Sequence, residues 1–200
     1  MALHTYQRRR RMALALALLA AIIGLLFVGS SQSERMHEMV EAVGLGFIVL
    51  GIAGRIWCTL YIGGRKAREI VDLGPYSVSR NPLYVFSTIA AGGVGAQSGS
   101  ITIAVLAAAA CALAFHFVIL REERFLTGEF GSNYRSYLGR VPRFWPNPRL
   151  FSDANELIVK PRRVYSTLAD GLVFFAAMPI LEIVEWAQHD HLIEIVVRLP

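Results

Sequence analysis

Cysteine is scarce in this 200-residue chain: Cys58 and Cys111 each sit inside an apolar run, far from each other and from any Cys or His at metal spacing. That arithmetic indicates neither a disulfide framework nor a zinc site, and both read as small core residues. Histidine offers no more. His116 stands alone in an apolar stretch, and His189-Asp190-His191 lacks a third convincing ligand, so no metal is expected. No internal repeat or low-complexity linker is found. The 20 Lys and Arg exceed the 15 Asp and Glu, but they flank apolar runs instead of clustering without them. A nucleic-acid surface needs the opposite pattern.

What the chain has in excess is apolar residues, at 54%. A soluble domain uses roughly 45–50% even with Gly included, so the surplus has to face lipid. Residues 12–28, MALALALLAAIIGLLFV, follow Arg8, Arg9, Arg10 and Arg11 and precede GSSQS. This is the pattern of a signal peptide or of a first anchor, and the anchor reading is preferred because further spans follow. Residues 43–62 and 101–120 each give 20 apolar positions, interrupted only by Arg55 and His116 respectively. Both are long enough to cross a bilayer. Residues 83–96 form a shorter run containing Gly92, Gly93 and Gly95, which with the QSGS that follows predicts a tight helical hairpin or a re-entrant segment. Residues 171–187, with Pro179, Glu182 and Glu185, predict a fifth helix that either crosses or lies in the interface.

The expected fold is therefore all-α, a polytopic transmembrane bundle of four to five spans. Residues 1–148 form the core and 149–200 an extension with a basic segment, KPRR at 160–163, of the kind that sits near anionic headgroups. Positive charge sets the orientation. Of 20 Lys and Arg, 17 fall in segments 8–11, 63–82 and 121–163, which alternate with the spans so as to share one side. The N-terminus and that polar face are expected in the cytoplasm, the membrane being a bacterial inner membrane.

Two segments on that face carry the chemistry. LGPYSVSRNPLY, residues 73–84, could be no more than a connector, in which Gly74-Pro75 turns the chain and Asn81 caps a helix that starts at Pro82. REERFLTGEFGSNYRSYLGRVPRFWPNP, residues 121–148, follows the fourth span. Its Glu122 and Glu123 read either as a salt-bridged turn or as site carboxylates, and neighbours on a helix diverge by about 100°, so one would face a pocket and the other a basic partner. Tyr134, Arg135 and Tyr137 suit either a headgroup-level helix or a site. Arg55, costly inside a span, is expected to face the interior or to snorkel.

Together the two segments resemble the isoprenylcysteine carboxyl methyltransferase and phospholipid methyltransferase family, in Gly74-Pro75-Tyr76, Arg80-Asn81-Pro82-Leu83-Tyr84, Glu122-Glu123, Phe130-Gly131, Tyr134 with Tyr137, and Val141-Pro142. The likeness covers about residues 40–148. It implies an integral membrane methyltransferase that uses S-adenosyl-L-methionine, held by Leu73, Gly74, Pro75, Tyr76, Asn81, Tyr84, Glu122 and Glu123. Arg80, Glu123 and Arg135 are the implied catalytic residues. Asn81 stands where the isoprenylcysteine branch has His, which weakens a prenylcysteine substrate more than it weakens methyl transfer. The expected acceptor is lipophilic, either a carboxylate such as prenylcysteine or a lipid headgroup. A non-catalytic membrane scaffold or small transport protein is the rival reading.

Overall fold

The computed structural model of the chain describes residues 23–24, 26–65 and 68–200. The first apolar run therefore lies outside the described residues, apart from its end. That end is not helical at Val28: a short strand β1, Val28–Ser30, pairs in parallel with β2, Val197–Leu199. Three-residue strands are too short to show alternation, so this ribbon is not legible in the hydrophobic pattern. The other main elements are helices: α1 Glu34–Ile62, α2 Pro75–Val78, α3 Pro82–Ala96, α4 Ile101–Arg140, α5 Pro161–Leu172 and α6 Ala177–His189. A single 3₁₀ turn, Val173–Ala176, joins α5 to α6, so that Pro161–His189 acts as one rod.

The helices α1 and α4 and the α5–α6 rod are long and apolar enough to cross a membrane. With 15 residues, α3 rises only about 22 Å, yet it joins the same two ends of the bundle because it packs closely on α1. A Cβ added at Gly51 would come within 2.6 Å of the Ala90 Cβ, and one at Gly93 within 2.5 Å of the Gly44 carbonyl oxygen. Small residues let two backbones approach where lipid removes the hydrophobic incentive to associate. The outer face of α4 is apolar and bare, with Val105, Leu113 and Phe117 about 60% exposed. In water such a face would be a fault; against acyl chains it is the expected surface.

The fifth segment runs the height of α1. Thr167 Oγ1 meets Thr59 Oγ1 at 3.0 Å, Gly171 lies against Ile52, the Phe174 ring lies 5.7 Å from the Arg55 guanidinium, and Glu185 reaches His37 at 3.0 Å. This antiparallel ladder lays it along α1, and it is long and apolar enough to cross a membrane. At its far end Gln188 Nε2 donates to the Leu26 carbonyl at 2.9 Å. The α3–α4 turn, β1 and the C-terminal Pro200 meet there too, since Ser30 Oγ donates to Gly99 O and Ser100 Oγ to Pro200 O. The other end gathers α2, the starts of α3 and α5, and the lower half of α4.

Arg55 lies between these ends. Its Nη1 donates to Ser87 Oγ at 2.5 Å, and Ser87 in turn donates to the Leu83 carbonyl. The guanidinium thus faces the interior, one of the two expectations, and snorkelling is not used.

Candidate active site

The end of the bundle that carries the basic loops is built on one bend and one tight turn. In α4, Gly131 takes φ 57° and ψ −125°, a conformation L side chains avoid, and the rod breaks there so that residues 132–140 fold back toward the axis. At Gly74, φ is 56° and an added Cβ would strike the Tyr61 ring at 2.3 Å. Glycine at 74 therefore serves both the turn and the close approach of Tyr61, whose hydroxyl donates to Asp153 Oδ1 at 2.5 Å. Pro75 opens α2 at its first position and is fully buried.

Around this frame the two motif segments are stitched together. Arg80 N donates to Pro142 O at 2.9 Å, Asn147 N to Val78 O at 2.9 Å, and Gly74 N to Ser152 O at 2.7 Å. Asn81 occupies the N-cap position of α3, but its side chain makes no capping bond. Its Nδ2 instead donates to the Arg143 carbonyl at 3.2 Å, while its own carbonyl receives Tyr84 N and Val85 N. The expected cap is thus a cross-brace between the segments. Tyr137 adds another, its hydroxyl donating to the Tyr76 carbonyl at 2.8 Å.

The two glutamates part company as helix geometry requires, though both reach the same cavity. Glu123, 8% exposed, lies between two arginines: Arg80 Nη1 is 3.1 Å from Oε1, while Arg143 presents Nε at 3.2 Å and Nη2 at 2.7 Å to the two oxygens. This fork geometry is the strong form of the ion pair. Hydrogen bonding to Glu123 holds Arg143 above its ordinary range. Glu122 turns toward α3 and accepts from the Tyr84 hydroxyl at 2.8 Å; the Tyr84 ring stacks 4.6 Å from Phe115.

Between them lies a cavity of about 80 Å³ lined by Tyr76, Arg80, Asn81, Tyr84, Glu122, Glu123, Phe130 and Tyr134, and by Glu69, Ile70 and Val71 of the irregular 68–74 segment. Two buried polar atoms of its lining, Tyr76 Oη and Arg80 Nε, have no hydrogen-bond partner among the described residues. Buried polar groups are normally satisfied, and each exception calls for an explanation. Burial, first of all, pushes the Tyr134 phenol up to about 12 and raises Tyr76 and Tyr137 above the ordinary phenol range. All three are neutral hydroxyls at physiological pH, and none serves there as a base.

The cavity thus gathers Tyr76, Arg80, Asn81, Tyr84, Glu122 and Glu123. Leu73 and Pro75 do not line it: Leu73 packs behind Tyr61 and Tyr76, and Pro75 shapes the turn. Arg135 is not brought in either. It lies exposed on the outer face of the 132–140 segment, because the buried positions of that turn are taken by Tyr134 and Tyr137. The cation that joins Arg80 beside Glu123 is Arg143. Sequence reasoning missed it, and the only signal was its place directly after Val141-Pro142.

A fitting cofactor must satisfy this donor set. S-adenosylmethionine carries a sulfonium, an ammonium and a carboxylate, which match the Glu122 carboxylate, the unpaired Arg80 Nε–H and the Tyr76 hydroxyl. Typical ligand pockets hold roughly 300–1,000 Å³; the chemistry of this lining fits the cofactor, and its volume of about 80 Å³ is smaller than the cofactor needs.

The comparisons agree with the placement of the motifs. No solved structure gives a significant match. The nickel-cobalt-cadmium resistance protein NccN of Alcaligenes xylosoxydans xylosoxydans is 32% identical over 200 residues, 99% of this chain and 93% of that one. The cobalt-zinc-cadmium resistance protein CzcN of Cupriavidus metallidurans is 30% identical over 183 residues, covering 90% and 84% respectively. The sequence profile of phospholipid methyltransferases matches residues 40–133, from inside α1 to just past the bend at Gly131. That stretch holds Arg80, Asn81, Tyr84 and both glutamates, and leaves out Tyr134, Tyr137 and Arg143. With the motif residues converging on one cavity inside the matched region, the chain belongs to the phospholipid methyltransferase family.

Proposed function

We propose that this protein is an integral membrane S-adenosylmethionine-dependent methyltransferase whose site faces the cytoplasm and whose acceptor is lipophilic. The observation that carries the reading is the pair of buried, partnerless polar atoms, Tyr76 Oη and Arg80 Nε, beside two carboxylates in one cavity. When bound, S-adenosylmethionine supplies a methyl carbon activated by the sulfonium, whose bond to sulfur breaks as the acceptor's lone pair bonds to that carbon. Everything else falls to the chain. Glu122, oriented by Tyr84, places negative charge beside the cofactor's cations; Arg80, oriented by Glu123, offers Nε–H to its carboxylate; Phe130 and Tyr134 exclude water. Room is made by displacement of Glu69, Ile70 and Val71, which belong to no helix. An acceptor arriving from the bilayer enters beside α3 and α4, where the site lies at the ends of the spans.

The names of both relatives state a resistance and not a reaction. We infer that this chain, too, serves in a bacterium's defence against divalent heavy metals, through modification of a membrane component. The test is to supply purified enzyme with methyl-labelled S-adenosylmethionine and either bacterial lipid extract or the water-soluble metabolite pool. Label is expected in the lipid fraction. Label confined to soluble metabolites would overturn the lipophilic acceptor, and label in neither would count against methyl transfer.

A further inference from the structure

The far end of the bundle, opposite the cavity, holds a second constellation that the methyl-transfer reading does not use. His37 and Glu41 stand one turn apart on α1 and so share a face. Glu185 joins them from α6. His37 Nε2 lies 3.3 Å from Glu41 Oε1 and 3.0 Å from Glu185 Oε1, and one ligand atom from each residue falls within 4.8 Å of the others. A divalent ion binding N and O ligands at about 2.0–2.2 Å holds adjacent ligands about 2.8–3.1 Å apart when octahedral and about 3.3–3.6 Å when tetrahedral. Those are the separations found at His37.

We propose that His37, Glu41 and Glu185 form a binding site for a divalent transition-metal ion of the zinc, cobalt and nickel class. Charge supports this assignment. A protonated His37 brings at most one positive charge to two carboxylates, whereas a divalent ion balances both. Imidazole with carboxylates suits these ions and not the soft, thiolate-seeking ones. The trio is also held in place. Gly99 sits at φ 63°, and a Cβ there would come within 2.0 Å of His37 Nδ1, so the imidazole seats directly on the backbone of the α3–α4 turn. Gln97 Nε2 donates to the Glu41 carbonyl at 3.0 Å, fixing the same turn against α1. A cavity of about 460 Å³, lined among others by His37, Ser98, Glu185, Gln188 and Arg198, opens beside the trio. It gives room for water ligands, and with the three side chains 23–38% exposed the ion has a route from the aqueous phase. Because the ligands come from α1 and α6, a bound ion would clamp the last crossing element onto the first described one and raise thermal stability by mass action.

The test uses tag-free, full-length protein in detergent, stripped with chelator and titrated with Co²⁺. Binding is followed by visible absorption and equilibrium dialysis, and folding by circular dichroism. One Co²⁺ per chain is expected, with a raised unfolding temperature. His37→Ala and Glu185→Gln should weaken binding at least tenfold, while His189→Ala leaves it unchanged. If His37→Ala fails to fold, Glu185→Gln and Glu41→Gln carry the comparison alone. A folded wild type that binds no Co²⁺, or the same affinity in folded Glu185→Gln and Glu41→Gln, would overturn the site.

Discussion

Glu122 and Glu123 are consecutive and chemically identical, yet their surroundings give them different work. Glu123 is the anion between Arg80 and Arg143. Removing one partner of a buried pair leaves the others uncompensated, a cost of about 3–5 kcal/mol. Glu123→Gln should therefore lower the thermal midpoint markedly in detergent, whereas Glu122→Gln leaves the Arg80–Glu123–Arg143 pairing intact and should unfold closer to wild type. Equal destabilisation by the two changes, read by differential scanning fluorimetry, would contradict the assignment. That the pair splits was legible from helix geometry alone. Which member faces the basic residues was not, because the deciding guanidinium, Arg143, lies 20 residues on and is one of many arginines in that stretch. Arg135 misled for the same reason: its place between two tyrosines says nothing about which of the three positions the bend at Gly131 turns outward.

At the scale of elements, apolar length was enough to find the helices, because lipid imposes a span length that no folded context can override. The α3–α4 hairpin with its tip at Gln97 to Gly99 was equally legible from three glycines and a polar turn. The contacts made by those glycines were not. Gly93 faces α1 with no space, an added Cβ meeting the Ile48 amide nitrogen at 2.8 Å, while Gly92 faces α4 with 3.4 Å to the Ala108 Cβ. Gly93→Ala should then disrupt packing and lower the yield of folded protein and its thermal midpoint, whereas Gly92→Ala is tolerated. The reverse order would mean that α3 is rotated about its axis relative to this packing. The β1–β2 ribbon escaped sequence reading altogether, since its partners lie at opposite ends of the described chain and each offers only three residues.

For the whole molecule, the two ends of the bundle differ in kind: one carries nearly all the basic connections, the other the ribbon, the hairpin tip and the His37 trio. The proposed orientation, argued from positive charge, puts the first end in the cytoplasm. With Cys58 and Cys111 replaced, single cysteines at positions 66 and 140 should be labelled only from the inside and one at 98 only from the outside; labelling of 66 or 140 from outside alone would reverse the arrangement. The long reach of α5–α6 along α1 makes it a further candidate span, which sequence left open because Pro179, Glu182 and Glu185 dilute the run. The central claim is that the cavity between α2, α3 and α4 takes the methyl donor, and calorimetric titration of S-adenosylmethionine into detergent-purified, full-length protein tests it most directly. Saturable binding at one molecule per chain, weakened at least tenfold in folded Glu122→Gln, is the predicted result; a folded wild type with no saturable binding, or with affinity untouched by that substitution, would contradict it.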